Sequence, residues 1–369
     1  MKITGIPKRI LLILLFPFSM LLFYSTSFTP DFIEKNFSRG INKLFIELLS
    51  SITGLFPFSI AEIGLIVLSI LAVIIFISGI IRVVRLNSGK LKCLFNYLIN
   101  ILITVSLIYF ILTISWSLNY NRLSFAEIAG LDTRPASVGE LGNLCDSLIN
   151  RANSLRNSVH QNSNGVMFLP EGYSGIFSQA NLGFENAAKT NPALSGNYGR
   201  PKSVLFSKAM SYSGIIGLYC PFTCEVNIDV DIPSYSIPST VCHEMAHQHG
   251  FAREDEANYI SFLTCNLNPN VDFQYSGTML ALINSMNAMY VHDKAKYSDL
   301  DKKISEGVKR DLHENSLYWK RHKGPVENTV TSLNNAYLKA NRQTDGVFSY
   351  GRMVDLLIAE YRKSHTLFS

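Results

Sequence analysis

Three long stretches without a charged residue dominate the first third of the chain. They run over residues 10–28, 63–81 and 94–118. Each is about 20 residues long, which is enough for a helix to cross a hydrocarbon core of roughly 30 Å. The pattern predicts three membrane-spanning helices and therefore a helical membrane anchor over residues 1–118. The first stretch has no small-x-small cleavage site at its end, which favours an uncleaved span over a signal peptide.

Residues 31–56, between the first two spans, carry charges but are amphipathic. Their apolar side chains recur at steps of three or four, as on one face of a helix: Ile33, Phe37, Ile41, Leu44, Leu48, Ile52 and Leu55. Such a helix either lies in the membrane interface or packs on a globular domain, and the pattern leaves both open.

From residue 119 to 369 the chain has ordinary polarity. Ser137-Val-Gly-Glu140 predicts a capping box at the start of a helix, and the pattern is helical again from about residue 238 almost to the end. Between these regions, residues 215–219 and 225–230 are typical of strands. We therefore expect an α+β domain that is mostly helical with one small sheet.

Basic residues are distributed unevenly around the predicted spans. Lys2, Lys8 and Arg9 precede the first span, and Arg82, Arg85, Lys90 and Lys92 lie between the second and the third. By the positive-inside rule both segments are cytoplasmic, which places residues 119–369 outside the cytoplasm. Residues 1–118 carry a net charge of +6 and residues 119–369 carry −1. Because a nucleic-acid-binding domain needs a basic face, we expect no nucleic-acid partner.

The sharpest chemical pattern is His243-Glu-Met-Ala-His247. Histidines at positions i and i+4 of a helix lie on one face, where both imidazoles can bind one zinc ion. Glu244 is then placed to act as the general base toward a water molecule. This set of groups suits the hydrolysis of an amide bond.

A zinc site of this kind needs a third protein ligand. Gly250 predicts the end of the His-Glu helix, and a turn there would bring Glu254, at the start of the next helix, back to the histidine pair. Asn258, one turn further on, would then orient an imidazole. The expected site is one zinc per chain bound by His243, His247 and Glu254.

Several neighbouring residues are alternatives or have other expected places. Glu256 is a second candidate for the third ligand and Asp255 a weaker one. His249 should face away from the metal, on the surface or in a substrate cleft. His322 and Tyr350 are candidate donors to an oxyanion.

Residues 243–258, His-Glu-Met-Ala-His-Gln-His-Gly-Phe-Ala-Arg-Glu-Asp-Glu-Ala-Asn, resemble gluzincin-type metallopeptidases, whose third ligand is the Glu of a Glu-x-x-Ala-Asn/Asp helix. The resemblance implies a zincin-like fold and favours Glu254, which stands three residues before Ala257. Only six residues separate His247 from Glu254, fewer than in most gluzincins. Residues 116–122, 219–225 and 345–350 resemble an uncharacterised bacterial membrane-protein family with three N-terminal spans and an H-E-x-x-H domain, which implies no substrate.

Residues 214–229 are a candidate for the edge strand that, in zincins, pairs with an extended substrate. A plain structural hairpin is the alternative. Cys220 and Cys224 flank the turn of this hairpin at residues 221–223 and could form a disulfide in an oxidising compartment.

Together these patterns predict a membrane-anchored zinc metallopeptidase that hydrolyses peptide bonds outside the cytoplasm. Its expected partners are the lipid bilayer and a peptide or protein substrate. Two alternatives are a catalytically silent zinc-binding recognition domain and a zinc-dependent amidase acting on cell-envelope material. The presence of Glu244 argues against the silent domain, because metal binding alone needs no general base.

Overall fold

The apolar N-terminal stretches form helices in the computed structural model, which describes residues 6–366. The elements here are α1 (Ile6–Ile13), α2 (Leu15–Thr26), α3 (Pro30–Phe32), a π-helix (Ile33–Ile41), α4 (Asn42–Thr53), α5 (Ile60–Arg85) and α6 (Lys90–Ser115). Within the described residues, α5 and α6 are long and apolar enough to cross a membrane. They contain most of the second and third predicted spans. The first predicted span falls on α1 and α2, and the helix at 11–26 makes an angle of 104° with the helix at 30–53.

The first helices lie alongside α6 and run in the same direction. The contacts pair Ile13 with Ser106, Phe16 with Tyr109, Phe18 with Phe110 and Phe23 with Asn121. Residue numbers rise together on both sides, so α1–α2 and α6 are parallel. The two elements therefore begin at the same end of the helical bundle.

The segment from the π-helix to α4 turns its polar side toward the rest of the protein. Its buried residues are Ile33, Glu34, Ser38, Asn42, Ile46, Ser50 and Thr53. Its exposed apolar residues include a row that we call the α4 stripe: Ile41, Leu44, Leu48, Ile52 and Leu55. The predicted packing of this segment on the rest of the protein is confirmed for its polar side, and its place in a membrane interface stays a prediction. The prediction that Ile33 shares a face with the α4 stripe is wrong, because Ile33 is buried. A π-helix has more residues per turn than an α-helix and therefore shifts the phase of the pattern.

The remainder of the chain is mostly helical. Its elements are a 3₁₀-helix (Ser117–Asn121), α7 (Phe125–Ala129), α8 (Val138–Arg156), α9 (Gly172–Ala188), a 3₁₀-helix (Pro192–Leu194), β1 (Lys202–Ser203), α10 (Ser207–Ser213), β2 (Gly217–Cys220), β3 (Glu225–Ile228), a 3₁₀-helix (Ser234–Ser236), α11 (Ile237–Gln248), α12 (Glu254–Leu267), α13 (Val271–His292), α14 (Lys294–Asp301), α15 (Glu306–His322), α16 (Pro325–Ala340), a 3₁₀-helix (Gly346–Arg352) and α17 (Met353–Thr366). The capping box predicted for Ser137 and Glu140 is confirmed and begins α8.

Helix α12 is central, since it packs against α9, α11, α13 and α17. A Cβ on Gly183 of α9 would lie 2.1 Å from the carbonyl oxygen of Thr264 of α12, so only glycine permits this close approach of the two backbones. Large buried side chains such as Phe251, Phe273 and Tyr275 fill the space around these helices. This packing holds the first turn of α12 in place beside α11.

The three strands form one small sheet in the order β1-β3-β2. β1 is parallel to β3, and β2 is antiparallel to it, with Gly217 opposite Ile228. The N–H of Asp229 donates to the carbonyl of Ile216 at 3.0 Å, so these two residues form a hydrogen-bonded pair. Hydrogen-bonded and non-hydrogen-bonded pairs alternate along an antiparallel strand, so the backbone groups of Gly217 and Tyr219 point toward the open edge of the sheet.

The sheet rests on the N-terminal end of α5. The hydroxyl of Ser59, the N-cap of α5, donates to Oδ1 of Asn227 at 2.6 Å. The carboxylate of Glu225 accepts the N–H groups of Ile60 and Ala61 at 3.1 and 2.7 Å. A carboxylate at this position also interacts favourably with the helix dipole. The sheet face that bears Glu225 and Asn227 is therefore fixed to the end of a long apolar helix.

Candidate metal centre

The two histidines of the H-E-x-x-H pattern lie one turn apart on α11 and meet the first residue of α12. Oε2 of Glu254 is 3.2 Å from Nε2 of His243 and 3.4 Å from Nε2 of His247. One ligand atom of each residue lies within 4.8 Å of the others. Donors about 2.0–2.2 Å from a tetrahedral zinc ion are separated by roughly 3.3–3.6 Å. These three side chains thus fit a metal ion.

The turn between α11 and α12 makes this meeting possible. Gly250 has a φ of 83°, in the left-handed region. Its N–H donates to the carbonyl of His247 at 2.8 Å, and the N–H of Phe251 donates to that of Ala246 at 3.1 Å. These bonds end α11, and the chain reverses its direction within the six residues that separate His247 from Glu254. The short spacing therefore brings Glu254 back to the two histidines.

Hydrogen bonds to the other ring nitrogens orient both imidazoles. Nδ1 of His243 is 2.8 Å from Oδ1 of Asn258, whose Nδ2 donates to the carbonyl of Tyr350 at 3.0 Å. Nδ1 of His247 is 2.7 Å from the carbonyl oxygen of Phe251. Because both acceptors require a proton on Nδ1, the Nε2 lone pairs are left for a metal. The predicted contact of Asn258 with an imidazole is confirmed.

Glu254 is buried, and its Oε2 atom makes no hydrogen bond beyond its contacts with the two imidazoles, among the described residues. Burial alone would raise the pKa of Glu254, but His247 and His243 hold it well below its usual range. Burial would lower the pKa of His247, yet Glu254 and Glu244 raise it to about 9. The metal-free site therefore holds an ion pair whose proton a metal cation would displace.

Glu244 lies beside the three ligands without being one of them. Its Oε2 accepts the N–H of Tyr219 at 2.7 Å, so the open edge of β2 holds the carboxylate. A Cβ on Gly217 would lie 2.6 Å from Cγ and Oε1 of Glu244, so the carboxylate fills the space that a larger residue would need. Burial raises the pKa of Glu244, and the adjacent His243 and His247 oppose this. A carboxyl group with a raised pKa holds a proton more readily than an ordinary glutamate does.

Aromatic side chains from distant parts of the chain enclose the centre. The Trp116 ring meets that of His247 edge-on, with 5.5 Å between centroids, and its Nε1 donates to the hydroxyl of Tyr337 at 2.9 Å. Burial raises the pKa of Tyr120 well above its ordinary value, and the charge of Glu254 adds to this effect. Sequence reasoning missed these residues, because Trp116 and Tyr337 are 221 positions apart and no spacing connects them.

The two oxyanion candidates lie in different places. Tyr350 is stacked on His243, with 6.2 Å between ring centroids. Burial, together with the charge of Glu254, raises the pKa of Tyr350 well above its ordinary value, so its hydroxyl keeps its proton. His322 instead packs on Tyr318 and lines a cavity of about 550 Å³ whose lining includes none of the three ligands.

Glu256 and Asp255 lie outside the ligand cluster. Oε1 of Glu256 accepts the N–H of Phe125 at 2.9 Å and lies 3.4 Å from Arg253. Burial raises the pKa of Glu256 to about 7, with Arg253 opposing this. Glu256 thus supports the start of α7, while Glu254 occupies the metal-facing position.

His249 faces away from the ligands, as the sequence predicted. Its expected place on the surface is wrong, because it is only 6% exposed and stacks on Phe184 with 4.3 Å between centroids, but it does line a cavity of about 520 Å³. Its Nδ1 is 2.7 Å from the carbonyl oxygen of Met245. The ring is therefore a packed part of the core. Cys220 and Cys224, the candidate disulfide pair, are free thiols.

Comparison with known families covers most of the chain. A family model described as "Protein of unknown function (DUF3810)" matches residues 37–358. The chain belongs to this family. The DUF3810 match includes α4, α5, α6 and all three candidate ligands, so the resemblance to an uncharacterised family is confirmed at that level. No curated protein matches the chain, and no solved structure does.

Proposed function

We propose that this protein is a zinc metallopeptidase anchored in a membrane. The observation that supports this most strongly is the position of Glu244, which is buried beside His243, His247 and Glu254 and held by the open edge of β2. A site that only stores or recognises metal needs the three ligands. It does not need a buried carboxyl group at the place where a peptide backbone can pair with a strand.

The residues of the site have distinct roles in this proposal. His243, His247 and Glu254 would hold a zinc ion, which would supply Lewis acidity and lower the pKa of water toward about 7. Since Tyr219 occupies Oε2 of Glu244, Oε1 accepts the proton of the attacking water and then returns it to the leaving nitrogen. The protonated hydroxyl of Tyr350 is the candidate donor to the oxyanion.

The open edge of β2 is the proposed place of the substrate. An extended peptide that pairs with this edge gains backbone hydrogen bonds whatever its sequence, and its side chains alternate between the two sides of the strand. The outward backbone groups of Gly217 would supply these bonds beside Glu244. This arrangement is the reason for favouring a peptide over other amides.

We propose three spans, with the N-terminus in the cytoplasm and residues 119–369 outside. The charge distribution predicts this orientation. The parallel packing of α1–α2 on α6 supports the number of spans, because two parallel spans enter the membrane from the same side and need one further span between them. Arg82 and Arg85 lie in the last turn of α5, at the end opposite to the sheet.

The test is hydrolysis of a mixed-sequence peptide library by the full-length, zinc-loaded protein. Wild type should generate new N-termini. Glu244→Gln should keep its zinc and its melting temperature and lose about 10² to 10⁴ in rate, because it preserves shape and removes basicity. Loss of zinc from this variant would make Glu244 a ligand, and full activity would move the chemistry elsewhere. A wild type that binds zinc and cleaves nothing would favour the silent recognition domain.

A further inference from the structure

The metal centre lies at the ends of the apolar helices. Trp116 directly follows the last residue of α6, and its ring contacts that of His247. The guanidinium of Arg342 lies 5.7 and 5.8 Å from the ring centroids of Phe23 and Tyr24, in the last turn of α2. The three ligands are thus one layer of side chains away from the point where two parallel helices end.

The α4 stripe lies at the N-terminal end of α5, where the sheet also rests. α4 leads into the N-terminal end of α5, and its segment makes an angle of 104° with the first helix. A helix that crosses the ends of spans and exposes a continuous apolar stripe lies in the interface. At the two ends of this stripe, Ile41 is 73% exposed and Leu55 is 80% exposed.

The open strand lies at the same level. Leu218 of β2 stands opposite Asn227, and side chains opposite each other in a sheet share a face. Asn227 bonds to Ser59 at the start of α5, so this face is directed at the end of the span. Ile216 and Leu218 on it are 38% and 53% exposed.

Nearby, Glu62 in the first turn of α5 accepts the N–H groups of Leu205 and Phe206 at 2.9 Å each. These two side chains are 77% and 59% exposed. The surface around the N-terminal end of α5 is therefore apolar on both sides of the sheet, after β1 and on the exposed face of β2.

We propose that the substrate is a polypeptide anchored in the same membrane and cleaved in the short segment where it leaves the bilayer. This rests on the proposed peptidase function. Such a segment emerges at the level of β2 and can pair with its edge while every second side chain contacts Leu218 or lipid. Confinement to the bilayer raises its effective concentration at the site, and the depth of the anchor selects the bond that is cleaved.

The experiment uses full-length, zinc-loaded protein in liposomes of phosphatidylethanolamine and phosphatidylglycerol. One randomised peptide segment is presented in three ways: directly after a single span, after a flexible spacer of about 25 residues that reaches roughly 25–30 Å, and free in solution. New N-termini are counted by mass spectrometry. The segment next to the span should be cleaved at least about tenfold faster than either other form.

The outcomes separate the two proposals. Equal cleavage of the free or spaced segment would overturn the anchored-substrate inference and leave the peptidase standing. Cleavage of no form, with zinc bound, would overturn the peptidase and the inference with it.

Leu218→Gln adds a test of the surface itself. It should keep zinc and slow cleavage of the span-adjacent segment severalfold. Val291→Gln, which changes a 76% exposed side chain on α13, should match wild type. If Leu218→Gln fails to hold zinc or to melt like wild type, Ile216→Gln replaces it. A folded variant with unchanged cleavage of the span-adjacent segment would overturn the inference.

Discussion

Arg122 and Glu34 form a bidentate ion pair in the interior of the protein. Nε and Nη2 of Arg122 lie 2.7 and 2.9 Å from the two carboxylate oxygens, and the side chains are only 1% and 7% exposed. The same guanidinium lies 3.9 Å from the centroid of the Phe251 ring, and the carbonyl of Phe251 accepts from His247. The pair thus connects the π-helix of the N-terminal region to the turn that orients a candidate metal ligand.

Breaking this pair should destabilise the whole protein. Arg122→Met leaves a buried carboxylate without its partner, which typically costs about 3–5 kcal/mol in the free energy of unfolding. Adding Glu34→Leu should recover much of this loss, because no charge then remains buried. Denaturant unfolding in detergent measures both variants. A double variant that is no more stable than Arg122→Met would show that the pairing is not the source of the effect.

The candidate ligand set predicts which variants lose metal. His247→Ala and Glu254→Ala should each lose zinc, because two protein ligands remain on a site that needs three. Glu256→Gln is the matched control and should keep its zinc, since Glu256 contacts Phe125 and Arg253 instead. Elemental analysis of the purified proteins decides this. Zinc retained by His247→Ala would rule out the site.

Zinc binding should release a proton. Against the effect of burial, Glu254 raises the pKa of His247 to about 9 in the metal-free protein, so below that pH the imidazole is protonated and zinc must displace the proton. The apparent association constant should therefore rise about tenfold per pH unit from pH 7 and level off near pH 9. Calorimetry in buffers with different ionisation enthalpies counts the released protons. A pH-independent affinity would contradict the ion pair.

Gly217→Ala should impair catalysis without removing metal. The added methyl group would lie 2.6 Å from Glu244, so the carboxylate has to move from its place beside the ligands. A displacement of about 1 Å can cost on the order of 10² in rate. Gly324→Ala, where a Cβ meets no atom within 4 Å, is the control. Activity of Gly217→Ala equal to that of the control would show that the position of Glu244 does not matter.

The proposed topology can be checked with reporter fusions. A reporter at residue 88, between α5 and α6, should be cytoplasmic, and one at residue 130 should be outside. Two reporters on the same side would reject α6 as a span. A cytoplasmic signal at residue 130 would show that the orientation is the reverse of the proposed one. Cys220 and Cys224 would then be expected to stay reduced.

The sequence was most informative where the geometry is local. Histidines four residues apart must share a helix face, and Gly250 marks the end of that helix, so His243, His247 and Glu254 could be proposed together. The long apolar helices α5 and α6 were predictable for the same reason, because length and composition alone define them.

The enclosure of the site was not predictable, because it depends on tertiary packing. Trp116 and Tyr337 reach the centre from separate elements, whereas Tyr350, which stacks on His243, was a candidate from the sequence. The burial of the polar face of the π-helix–α4 segment was equally unpredictable. Apolar residues are usually buried and polar residues exposed, and this segment does the reverse. The stacking of His249 on Phe184 was not predictable either, because a stacked imidazole has no signature in sequence.

The contact between α4 and the loop before β1 limits where the chain can be truncated. A Cβ on Gly199 would lie 2.2 Å from the carbonyl oxygen of Ser50, and Nζ of Lys202 donates to that of Thr53 at 2.7 Å. A chain that started at residue 119, where polarity suggests a boundary, would lose these contacts and the partner of Arg122. Residues 119–369 are therefore not a detachable module. A cut at residue 118 would yield a fragment without these contacts, so the function of this protein cannot be separated from the apolar helices that precede the cut.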